Sequence, residues 1–175
     1  GYSAKVLAAR LRHEGICVTG TSRSPDNDPQ IRAFGPQHPF AEEWLDSITH
    51  LLISIPPDAQ GDPVLRAAGE SLARRARQFA WVGYLSTPGV YGDHGGGTVD
   101  ENTPVQPGSG RSSWRAQAEA QWLALHRTHG LPVHLFRLAG IYGTGRNALV
   151  NALAGTARRI DAPELLFSRI HVADI

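Results

Sequence analysis

Four short apolar runs, each followed by a stretch long enough to cross back over a sheet, constrain this chain most. Ile16 to Thr21, Thr49 to Ile55, Phe79 to Leu85 and Leu131 to Leu138 have strand length, and Pro, Gly or Ser punctuates most of their ends. Helical periods lie around and between them. Ser3 to Glu14 carries Val6, Leu7 and Leu11, with Gly15 as its stop. Pro63 to Gln78 sets Val64, Leu65, Ala68, Leu72 and Ala76 on one side, and Arg111 to His129 does the same with Trp114, Ala118, Trp122 and Leu125. A turn over Gly140 to Gly145 leads to a last helix, Ala148 to about Ala154. Strands alternating with helices of this length need crossover connections, which gives an α/β fold with a mostly parallel sheet.

The chain has 175 residues, enough for one sizeable core, and no break in composition divides it, so residues 1–175 read as a single domain. A net charge of +1 gives no basis for binding nucleic acid or an anionic membrane surface. No apolar run approaches the roughly 20 residues that span a bilayer. Cys17 is the lone cysteine, so no internal disulfide can form; it reads as a buried spectator thiol in a reducing cytoplasm. His126, His129 and His134 lack the carboxylate or thiolate that would complete a metal site. No serine lies in a G-x-S-x-G elbow, so a hydrolase triad has no foothold. The four tryptophans, Trp44, Trp81, Trp114 and Trp122, read as core or interface.

Chemistry concentrates where strands end. Phe79 to Leu85 delivers Ser86 and Thr87 to a strand end, and the Gly- and Pro-rich segment from Pro88 to Gly110 is long enough to be a functional loop. The helix after it opens with Arg111 and Arg115. Gly1, Tyr2 and Ser3 open the first helix, resembling the end of a G-x-G-x-x-A dinucleotide fingerprint. There a residue without a side chain and the amides of a helix N-terminus meet a pyrophosphate. About 20 residues on, where such proteins read the adenosine ribose, stand Ser22 and Arg23 rather than an acid. Their hydroxyl and guanidinium suit a 2′-phosphate and favour NADP over NAD; the alternative is a solvated arginine. Ser54, Ile55 and Pro56 end the next strand, which would pass beside the cofactor.

Ser86-Thr87-Pro88-Gly89-Val90-Tyr91-Gly92 is similar to the S-[ST]-x-x-V-Y-G run of the extended short-chain dehydrogenase/reductases, in their NAD-dependent epimerase/dehydratase branch. Arg137 to Arg146 resembles the R-x-x-x-[IV]-Y-G-P-G segment of that branch, and Arg169 to Ile175 its R-x-[IV]-H-V-x-D-[IV] segment. The resemblance implies a doubly wound, Rossmann-like parallel sheet and an NADP or NAD cofactor. It also implies a small-molecule substrate such as a nucleotide sugar or another carbonyl compound, and leaves a homodimer open. It places the sheet's first strand before residue 1 and the substrate part beyond residue 175. The strands at Ile16 to Thr21 and Thr49 to Ile55 would then flank a gap, and the isolated chain is expected to fold poorly.

By this resemblance Thr87, with Ser86 beside it, takes the place of the hydroxyl that bonds the substrate oxygen. Arg111 and Arg115 fall where the family carries its catalytic Tyr and Lys. A guanidinium, with a pKa above about 12, cannot act as the base. Arg115 could still hold ribose hydroxyls, and Arg111 could bind or polarise an anionic or carbonyl group. Tyr91, Asp93 and His94 are the candidates for a substitute acid. Two readings remain open: an oxidoreductase or epimerase with a displaced acid–base apparatus, and a dinucleotide-binding sensor or scaffold without turnover.

Overall fold

The computed structural model describes residues 1–25, 28–108, 110–158, 161 and 166–175. Helix α1 (Tyr2–His13) ends where expected. Gly15 adopts φ 80°, its N–H donates to Arg12 O at 3.0 Å, and Ile16 N–H donates to Leu11 O at 2.9 Å. This pair of bonds satisfies carbonyls that the helix end leaves unpaired, and only a residue without Cβ takes that φ cheaply.

Two short strands follow, β1 (Gly20–Ser22) and β2 (Ile31–Ala33), paired in parallel. The main sheet comprises β3 (His50–Ile53), β4 (Trp81–Ser86) and β5 (Val133–Arg137), all parallel, with β4 in the middle. Its crossovers carry α2 (Pro63–Arg74) and α3 (Gly110–His129). A third parallel pair, β6 (Gly140–Tyr142) with β7 (Arg169–His171), encloses α4 (Ala148–Leu153). Among the described residues no backbone hydrogen bond joins β1 to β3.

Four local expectations are corrected. The first strand starts only at Gly20, because Ile16 to Thr19 meet no partner strand among the described residues. Cys17 in that run is therefore exposed rather than buried. Gly140 to Tyr142 is a strand, with the tight turn displaced to Gly143–Arg146, where the two residues exchange N–H···O bonds of 3.0 Å. Helix α2 stops at Arg74 and tightens into a 3-10 turn over Ala76–Gln78. The Gln78 amide donates to Leu45 O and Ile48 O, tying that turn to the segment before β3.

The core lies between the main sheet and its two helices. Ile53, Val82 and Tyr84 from the strands meet Ala68, Leu72, Ala118 and Trp122 from the helices. Alternation along β4 puts Val82, Tyr84 and Ser86 on this side. Trp81 lies across the opposite face over Gly83, whose missing Cβ is what makes room for the indole, and stacks on His134 at 6.0 Å.

The Asp62 carboxylate is buried beside that core, only 1% exposed. Its Oδ1 accepts from the N–H groups of Val64 (2.8 Å) and Leu65 (3.0 Å), capping α2, and its Oδ2 accepts from the Trp122 indole at 3.3 Å. One side chain thus starts α2 and fixes α3 against it. Asp62→Ala should cost on the order of 2–3 kcal/mol, from the lost cap and an orphaned indole N–H. Asp62→Asn, which keeps an acceptor for the cap, should cost less. Urea unfolding of the two variants gives the order, and equal losses would contradict it.

Candidate functional site

Parallel strands point their carboxyl ends the same way, and crossovers then bring helix N-termini to that edge. Here the edge gathers Ser54 after β3, Ser86 and Thr87 at the end of β4, and Arg137 at the end of β5; Ser22 ends β1 in the separate β1–β2 pair. The first turns of α1 and α3 belong to the same cluster. A Cβ built on Gly1 would lie 3.5 Å from Ser54 Oγ, so the amino end of α1 sits against the end of β3. Ser3 is buried beneath it. Tyr2 reaches the other way: its hydroxyl donates to Thr144 O at 2.9 Å, and the Arg146 guanidinium lies 5.5 Å from its ring centre. Gly143 has to be a glycine, because a Cβ there would meet the Tyr2 hydroxyl and Val172.

At the end of β1, Ser22 closes a local turn, accepting from Ser24 N–H at 3.3 Å and donating to Ser24 O at 3.0 Å. Arg23 is exposed, and its stem runs beside Gly35, where a Cβ would come within 3.4 Å. Ser54 and Ile55 are half-buried and Pro56 is exposed.

The end of β4 is the most constrained part of the cluster. Thr87 opens a 3-10 turn over Pro88–Tyr91, its Oγ1 accepting from Gly89 N–H at 3.3 Å. The Thr87 hydroxyl proton has no acceptor among the described residues. Ser86 is buried and donates to Glu119 on α3. Arg115 Nη1 donates to Leu85 O at 2.7 Å and to the Tyr84 hydroxyl at 3.2 Å. Arg111, on the exposed first turn of α3, makes no ion pair among the described residues.

The sequence reading missed the pair that holds Ser86 and Tyr91, Glu119 with Arg137. Arg137 Nη2 donates to Glu119 Oε2 at 2.7 Å, its Nε to both carboxylate oxygens at 3.2 Å, and its Nη1 to the Tyr91 hydroxyl at 2.9 Å. The Glu119 side chain is 4% exposed and that of Arg137 18%. The hydrogen bonds to Glu119 push the guanidinium pKa further above its ordinary value. Glu119 was recognisable as an acid on the apolar face of α3, one place from Ala118, where a charge needs a partner. Tyr91 is buried under Arg137, whose guanidinium lies 4.7 Å from the ring centre. Asp93 and His94 are engaged locally, with Gly95 N–H and Tyr91 O. A groove of about 440 Å³ between α2 and α3 is lined by Gln60, Leu65, Arg66, Gln121, Leu125 and His129, none of them at this edge.

No family model matches the chain. A dTDP-glucose 4,6-dehydratase from Streptomyces niveus is 36% identical over 107 residues, 61% of this chain and 30% of the dehydratase. The solved structure of a conserved protein of unknown function from Silicibacter pomeroyi superposes with a TM-score of 0.86 at 49% identity, covering 99% of this chain and 61% of that one. MoeE5, solved with UDP-glucose and NAD, superposes with a TM-score of 0.74 at 22% identity, over 99% of this chain and 66% of its own, a likeness of fold. In its matched sequence and in its fold the chain resembles the epimerase/dehydratase branch of the extended short-chain dehydrogenase/reductases. It spans less than two thirds of the dehydratase and of the Silicibacter protein. The Rossmann-like parallel order of this family is the reason that residues as distant as Gly1, Ser54, Thr87 and Arg137 share one edge.

Burial raises the Tyr84 pKa to about 12, the neighbouring Arg115 guanidinium offsetting only part of the rise. The folded protein therefore keeps a proton that the unfolded chain gives up near its ordinary value of 10.0. This contribution to stability is fully present below that pH and is lost as the pH rises toward about 12. It amounts to about 2–3 kcal/mol at most. Tyr84→Phe should flatten the fall in unfolding free energy over this range. An unchanged slope would contradict the assignment.

Proposed function

We propose that this chain is the cofactor-binding part of an NAD(P)-dependent protein of the epimerase/dehydratase type, with an altered acid–base site. The observation that carries this reading is the meeting of the amino end of α1 with Ser54, at the same strand edge as the Thr87 hydroxyl. The residues present suit a dinucleotide. Gly1 offers no side chain against an approaching pyrophosphate, and the first amides of α1 offer donors and the positive end of a helix dipole. Tyr2 and Ser3 contribute backbone there, while their side chains face Thr144 and the interior. Ser54, Ile55 and Pro56 flank the ribose side. Ser22 and Arg23 take the adenosine ribose, where an exposed guanidinium and the lack of an acid at Thr21 to Arg23 favour NADP.

A bound nicotinamide would supply the hydride chemistry. The protein's own share starts at Thr87, whose hydroxyl proton is aimed at a substrate oxygen, with Ser86 behind it as support. Arg111 binds or polarises an anionic or carbonyl group, and the part of the Arg115 guanidinium not engaged by β4 faces the ribose. A guanidinium is a donor and cannot serve as the general base. The substrate class that fits is a nucleotide sugar or another carbonyl compound, supported by the UDP-glucose held by MoeE5. A second reading, a dinucleotide sensor or scaffold without turnover, is favoured by the two guanidinium groups at the positions of the family's Tyr and Lys.

Calorimetry on the full-length protein tests cofactor binding. NADP(H) should bind more tightly than NAD(H), and Arg23→Asp should reverse or abolish the preference, because a carboxylate repels the 2′-phosphate. Equal affinities would remove the preference, and no binding of either cofactor would overturn the whole reading.

Where the protein turns over, Thr87→Ala should lower kcat on the order of a hundredfold. Arg111→Ala should mainly raise KM. A folded Arg111→Ala protein with collapsed kcat and unchanged KM would reverse these roles. Tight binding without turnover on any nucleotide sugar tried would favour the sensor reading.

A further inference from the structure

Two residues of α3, Arg115 and Glu119, stand one helical turn apart and reach consecutive residues of β4. Arg115 holds the Leu85 carbonyl at 2.7 Å, and Glu119 takes the hydrogen of the Ser86 hydroxyl. Glu119 is gripped in turn by Arg137, which holds the Tyr91 hydroxyl at 2.9 Å and covers its ring. Tyr91 closes the 3-10 turn that Thr87 opens. Leu138 N–H completes the frame by donating to Ser86 O at 3.2 Å. Thr87 lies inside this frame, fixed on both sides, and among the described residues its own hydroxyl makes no hydrogen bond to the three charged residues.

A buried ion pair is a poor device for stability alone. Desolvating both charges offsets much of their attraction, and apolar residues of similar size often serve as well. What apolar residues cannot do is hold a serine hydroxyl, a tyrosine hydroxyl and the pair itself at fixed hydrogen-bond distances. The guanidinium fork of Arg137 meets Glu119 and Tyr91 in fixed directions, which the point charge of a lysine would not reproduce. Arg115 likewise bridges two groups of β4 with one nitrogen.

We propose that Arg115, Glu119 and Arg137 are positioning residues that set the direction of the Thr87 hydroxyl by clamping the strand end before it and the turn after it. The functional weight of this clamp rests on the assignment of Thr87 above; its mechanical part does not.

Hydrogen exchange measured by mass spectrometry on the full-length protein, free of cofactor, tests it. Glu119→Gln and Ser86→Ala should each speed exchange of the amides from Thr87 to Gly92 on the order of tenfold, with exchange in the rest of β4 and α3 unchanged. Arg137→Lys should speed exchange there as well, because it keeps the charge and loses the fork. Ser86→Ala in the Glu119→Gln background should add nothing further. Unchanged exchange over this segment, a uniform rise across the core, or additive effects of the two substitutions would each overturn the proposal. Ser86→Ala removes a single hydrogen bond, so it carries the test if Glu119→Gln does not fold. In the same variants NADPH affinity should stay within about threefold of the unmutated protein, since no clamp bond lies at the pyrophosphate. Absent NADPH binding in the unmutated protein would strike the cofactor reading and leave the exchange result standing.

Discussion

Strand β4 is hydrogen-bonded along both edges, to β3 through His50–Ile53 and to β5 through Val133–Arg137, in parallel on each side. That arrangement makes every connection a crossover, so α2 and α3 must each run back along the sheet before the next strand begins. Both lie on one face, and their shared weight falls on Leu72, Tyr84 and Trp122, all fully buried. The same constraint brings the last residues of β4, the first turns of α3 and the end of β5 into one small region. The site is therefore a consequence of the strand pairing and needs no separate scaffold.

The parts that were legible in the sequence are those with long periods or unmistakable punctuation. The two long crossover helices, the strands around Leu52, Val82 and Leu135, and the stop at Gly15 all announce themselves through apolar spacing or a residue with special backbone freedom. What escaped was short or unpartnered. Ile31 to Ala33 has three residues and a central arginine, too few for any alternation to show. Ile16 to Thr19 reads as strand by composition, yet a strand exists only where a neighbour accepts its hydrogen bonds, and those four residues have none among the described residues. Gly140 to Tyr142 looked like a turn because glycine dominates its neighbourhood, and its partner Arg169–His171 lies far along the chain. The hydroxyls of Ser86 and Thr87 were visible as a pair. Their division of labour was not, because it depends on Glu119, 33 residues away from Ser86.

The altered acid–base site proposed above turns on charge placement. A tyrosine and a lysine can pass a proton because their pKa values can be brought toward neutrality. Arginine's delocalised cation resists this, and at Arg115 it is further committed to the backbone of β4. The region is rich in guanidinium donors.

The bond from the Tyr2 hydroxyl to Thr144 O joins residues 142 positions apart. It ties the opening turn of α1 to the segment between β6 and α4. During synthesis the tie cannot form until Thr144 has left the ribosome, and at typical elongation rates that interval is on the order of ten seconds. For all that time the amino end of α1 lacks its outer support, and Tyr2 remains an unanchored aromatic ring that a chaperone could hold.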